Sequence, residues 1–170
     1  PSRITRPFAA GDAQSPSAGP RGMFTLNWLL AETSNPELNL ALHILEYILL
    51  GMPGSPLRKA LIDSGLGEDL AGVGLEAELR EMYFSTGLKG IDPAVADRIE
   101  SLIFRTLAGL AEHGIEPGTI EAAMNTMEFR LRENNTGSFP RGLVLMLRAM
   151  TSWLYEADPL SMLAFEAPLA

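Results

Sequence analysis

The sequence predicts an α+β fold, a mostly antiparallel sheet with helices packed on it. Three short segments, 23–30, 69–75 and 82–90, alternate or favour extended structure. Between and after them lie longer segments with apolar residues at helical spacing and recognisable caps. The order is strand, two helices, two strands, then helices, with no internal repeat.

Residues 1–22 are rich in Pro, Gly, Ser, Ala and Arg and read as an irregular lead-in, with Arg3-Ile4-Thr5 a short edge strand. In Met23 to Leu30, Phe24, Leu26 and Trp28 alternate with Thr25 and Asn27, as a half-buried strand requires. Asn35 is placed to cap a helix, Pro36 suits its first position, and Glu37 favours the positive end of the dipole. Leu38, Leu42, Leu45 and Leu49 recur at helical spacing, with Ala41, Ile44 and Ile48 beside them, so a wide inner side is expected. Gly51-Met52-Pro53-Gly54 forbids continuation. Ser55-Pro56 opens a second, short helix, with Gly65 its left-handed stop.

The strands 69–75 and 82–90 are joined by a turn at 76–80. Asp92-Pro93 then caps a long helix running to about Glu112, with Ile99, Leu102, Ile103, Phe104, Leu107 and Leu110 on its inner side. A further helix spans 119–133, Asn134 to Gly137 turns the chain, another helix spans 141–155, and Asp158-Pro159 opens a last one. In domain terms, 23–170 is expected to form one non-catalytic domain, truncated at its C-terminal end. The start at Pro1 suggests a segment of something longer.

The chain has 170 residues, 46% of them hydrophobic, 20% charged, and a formal net charge of −8. That charge disfavours nucleic-acid binding, which needs clustered Lys and Arg. With no cysteine, thiolate zinc sites, disulfides and cysteine nucleophiles are excluded. The apolar run Ile44 to Met52 is interrupted by Glu46 and falls short of the ~20 residues that span a bilayer. No phosphate loop, dinucleotide fingerprint or GxSxG elbow is present; Gly72-Val73-Gly74 is only a GxG within a strand. The eight methionines fit helical packing stripes.

Of the two histidines, His43 stands in a suggestive setting. On a helix His43, Glu46 and Tyr47 share one side. An inverted zinc-peptidase motif, His-x-x-Glu-His, needs a second histidine where Tyr47 stands. A phenol, with an ordinary pKa of about 10, is a poor zinc ligand at neutral pH. The motif is therefore degenerate, no metal is expected on this segment, and His43 reads as a packed helical histidine.

The runs GMPGSPLRKALIDSGLG (51–67) and EMYFSTGLKGID (81–92) resemble the pitrilysin/insulinase superfamily of zinc metallopeptidases, nearest its presequence-protease subfamily, over about residues 23–165. The resemblance implies a pitrilysin/LuxS-like metallohydrolase domain, the second, non-zinc domain of an N-terminal half. It implies that the parent chain is a zinc metalloendopeptidase that degrades unstructured peptides in a closed chamber. In such a parent, zinc is the cofactor, and the partners are the catalytic zinc domain and the C-terminal half of the same chain.

The resemblance further implies that this segment is catalytically inactive, with Gly51, Met52, Pro53 and Gly54 and the strand residues Leu70, Ala71 and Gly72 forming a substrate exosite. The loop is shorter before Ser55 than in insulin-degrading relatives and lacks their acidic residue, so recognition of a peptide amine is not expected from the loop. The alternatives are a stand-alone peptide-binding module and an inactive partner subunit of the same superfamily. The compartment is left open between cytoplasm and organelle matrix.

Overall fold

The computed structural model describes residues 1–8, 21–133 and 135–163. Three strands form one antiparallel sheet: β1 (Gly22–Glu32), β2 (Asp69–Glu76) and β3 (Glu81–Ile91), in the order β1-β3-β2. The centre therefore goes to the last strand in sequence, and β1 and β2 are its two outer strands.

The register puts Phe24 opposite Leu88 and Trp28 opposite Phe84, so the alternating residues of β1 meet those of β3 on one face. There the Trp28 ring lies 5.8 Å from Phe84 and meets Phe104 edge-on at 6.0 Å. Gly87, opposite Thr25, lets the two backbones approach: a methyl there would overlap the Phe24 carbonyl oxygen.

The helices are α1 (Pro36–Glu46), α2 (Pro56–Asp63), α3 (Ala96–His113), α4 (Pro117–Glu133) and α5 (Arg141–Leu154). Asn35 caps α1 through a 3.1 Å bond from the Leu38 amide, with Pro36 at the first position. Asp92 caps a short 3-10 turn, Pro93–Val95, that leads into α3. Gly114, with φ of 78°, ends α3. The core joins Leu57 and Leu61 of α2, Ile99 and Ile103 of α3, and Leu88 and Ile91 of β3, with Leu49 beside them.

Three expectations change. The first helix does not run uniformly to its end: after Glu46 it widens into a π-helical turn, Tyr47–Gly51. Its buried apolar residues are Leu40, Ile48 and Leu49, whereas Leu38, Ala41 and Leu45 face outward. Arg3-Ile4-Thr5 is not a strand; Arg3 is instead held by ion pairs to Asp97 (2.6 Å) and Glu100 of α3. After Asp158-Pro159 the described chain makes only a 3-10 turn, Ser161–Leu163, and the continuation lies outside the described residues.

The stretch Pro36–Asp63 is long and apolar enough, by length and composition, to cross a membrane. It is not one continuous helix, because the chain turns at Met52–Gly54 and α2 sets off on a new axis under the sheet.

Candidate functional site

The end of α1 brings His43, Glu46 and Tyr47 onto one side of the helix, as their spacing requires. His43 Nδ1 lies 2.9 Å from the Asn39 carbonyl oxygen one turn earlier. A carbonyl only accepts, so Nδ1 carries the proton in this contact. Asn39 is buried, and its side-chain amide donates to Thr33 Oγ1 at 2.9 Å. Thr33 in turn bonds the Ala77 and Arg80 carbonyls at 2.8 Å each. A chain of hydrogen bonds thus ties this helix to the β2–β3 connection.

Tyr47 is engaged in another way. The guanidinium of Arg130, from α4, lies over its ring 4.5 Å from the centroid. One imidazole, one carboxylate and a phenol beneath a guanidinium do not suit a zinc ion, which takes His nitrogens and carboxylates without a competing cation. Among the described residues, no group of three or more metal-ligating side chains is placed to hold a metal ion.

Glu46 is half-buried, and burial pushes its carboxyl above the usual carboxylate range, against the smaller opposing pull of His43 and Arg130. Its carboxylate stands over β2: a Cβ on Gly74 would fall 2.7 Å from Oε1.

The proposed exosite residues fall in two places. Gly51 closes the π-helical turn, where a Cβ would overlap the Tyr47 ring. Met52 and Ser55 hold the following turn: the Met52 amide donates to Ser55 Oγ at 2.9 Å, and Ser55 Oγ donates to the Tyr47 carbonyl at 3.2 Å. A Cβ on Gly54 would meet open space. Leu70, Ala71 and Gly72 lie on β2, with Leu70 opposite Leu88 and Ala71 opposite Gly87. No hydrogen bond joins the loop to this strand among the described residues. The two are linked through the core, where Leu49 and Leu50 precede the loop and Leu70 packs on the same cluster.

The register of β2 shifts between Ala71 and Gly74. Gly72 and Gly74 have φ of 94° and 71°, so the GxG of the sequence is a β-bulge with exposed Val73 at its crest. Added side-chain atoms at Gly72 would also strike the Ser85 carbonyl at 2.6 Å. The juxtaposition of this bulge with Glu46, and of Arg130 with Tyr47, joins residues far apart in sequence and left no local pattern to read. A surface hollow lies elsewhere, between Arg3, Ser64, Leu66 and the Asp97–Phe104 side of α3, and touches none of these residues.

Residues 6–127 match the family described as the peptidase M16 inactive domain. Presequence protease 1, chloroplastic/mitochondrial, of Arabidopsis thaliana is 45% identical over 170 residues, covering 99% of this chain and 16% of its own length. Protein HypA of Clostridium perfringens is 34% identical over 162 residues, covering 95% of the chain and 16% of its own. The mitochondrial presequence protease of Xenopus laevis is 36% identical over 142 residues, covering 83% and 14%. The chain thus spans about a sixth of the length of these relatives. An inactive peptidase domain from Bordetella parapertussis has the same fold, with a TM-score of 0.69 at 16% identity over 89% of this chain and 79% of its own. With its α+β layers matched by that structure and most of its length matched by the family, this chain belongs to the peptidase M16 inactive-domain family.

Proposed function

We propose that this chain is a wall and substrate-exosite domain of a zinc metalloendopeptidase, holding an extended peptide while hydrolysis takes place on another part of a longer protein. The observation that carries this is the position of β2. It is an outer strand whose far edge is unpaired among the described residues, and Gly72 and Val73 of its bulge are exposed. An added strand is held by main-chain hydrogen bonds, a mode that reads little sequence. The Gly51–Gly54 turn and the main chain of Leu70, Ala71 and Gly72 form the contact surface, the Ala71 side chain itself being buried. Zinc, the catalytic domain and a C-terminal half belong to the parent protein, and the relatives' names favour an organelle matrix and presequences as substrates.

The test is titration of a fluorescent unstructured peptide with this chain, followed by anisotropy and chromatography of the peptide. Saturable binding without cleavage is expected. Val73→Pro, a change that a bulge on an outer strand tolerates, places a ring on the open edge and should weaken binding severalfold. Lack of binding by the wild type, or undiminished binding by the variant, would overturn the proposal. So would stoichiometric zinc together with hydrolysis lost in His43→Ala.

A further inference from the structure

The carboxylate of Glu46 receives no hydrogen bond and no ion pair from the described residues, although it is half-buried. The two basic side chains near it, His43 and Arg130, are each engaged elsewhere: His43 with the Asn39 carbonyl and Arg130 with the Tyr47 ring. Neither forms an ion pair with it. A partly desolvated charge without a partner is costly, and it gains most from a cation brought to it.

Its placement says where such a cation would come from. Glu46 stands over Gly74, next to the bulge, on the side of β2 against which α1 packs. Side chains of a strand alternate between the two faces of a sheet, so every second residue of a peptide laid along β2 would project towards α1. The absence of a side chain at the buried Gly74 lets the carboxylate sit directly against the strand backbone, beside the exposed Gly72 and Val73 of the bulge.

From this we infer that Glu46 and the Gly72–Gly74 bulge form a subsite for a lysine or arginine side chain of a peptide held on the outer edge of β2. The inference rests on the edge-binding reading above and adds to it a preference for cationic peptides. The net charge of −8 attracts such peptides over a distance; Glu46 gives the attraction a fixed place.

Two fluorescent unstructured peptides that differ only in Lys against Gln at alternate positions test it. The Lys peptide should bind the wild-type chain about three- to tenfold more tightly, the range from a partly exposed ion pair to a well-formed charged hydrogen bond. Glu46→Gln should remove that preference and leave binding of the Gln peptide unchanged, which also reports that the variant is folded. Independently of any variant, zero-length carbodiimide coupling of the Lys peptide to the wild type should yield an amide at Glu46 by mass spectrometry. If neither peptide binds the wild type, the edge-binding reading falls and this one with it. If both bind equally, if Glu46→Gln keeps the preference, or if coupling occurs only at other carboxylates, the edge stands and the subsite falls.

Discussion

Glu46 is held in a place that works against its own charge. Burial raises its pKa, so its favourable contribution to folding is fully present only below the unfolded carboxylate range and is lost as pH rises through the higher folded value. At neutral pH the ionised group therefore weakens the fold. Glu46→Gln should raise the melting temperature at pH 7, and the gain should shrink to nothing by about pH 3, where both states of the wild type are largely protonated. Calorimetry across that range checks the sign; a variant less stable at pH 7 would show that the carboxylate has a partner. At this scale the sequence is legible where chemistry is local. Asn35, Pro36 and Asp92 act on neighbours within a turn and behave as expected. Arg130 over Tyr47 and Glu46 over Gly74 depend on how elements pack, and no spacing rule reaches across such separations.

Among elements, the three strands and five helices were readable from period and punctuation, but the facing of α1 was not. Ile48 and Leu49 are buried as expected, while Leu38 and Leu45 of the same predicted stripe are not. The π-helical turn at Tyr47–Gly51 inserts extra backbone per turn and rotates everything after it relative to a regular 3.6-residue pattern. Sheet order was equally hidden: alternation marks a strand without naming its neighbours, and only the tertiary structure puts β3 between the others. That central position makes the Gly87 contact with β1 demanding. Gly87→Ala would push the Phe24 carbonyl away and break the β1–β3 ladder at its middle, at a cost towards the upper end of ~1–3 kcal/mol. Urea unfolding should show a lower midpoint; an unchanged midpoint would mean that the ladder yields without loss.

For the whole molecule, the main imbalance is α5. Leu143, Met146, Leu147, Met150, Trp153 and Leu154 follow one another at helical spacing and are all exposed, Trp153 and Leu154 at 71% and 70%. A contiguous apolar face of that kind is normally covered, which agrees with a chain that spans a sixth of its relatives' length. On its own, this chain should self-associate as its concentration rises. Light scattering should show the average mass increasing, and Leu147→Glu combined with Trp153→Glu should return it towards monomer. A clean monomer at high concentration would count against an uncovered face.

The bulge at Gly72–Gly74 has an opposite effect on assembly. A flat outer strand can template copy after copy into a growing fibril, whereas a kink with locally increased twist spoils the regular spacing that stacking needs. The irregularity at which we propose that a peptide binds therefore also works against polymerisation through the same strand.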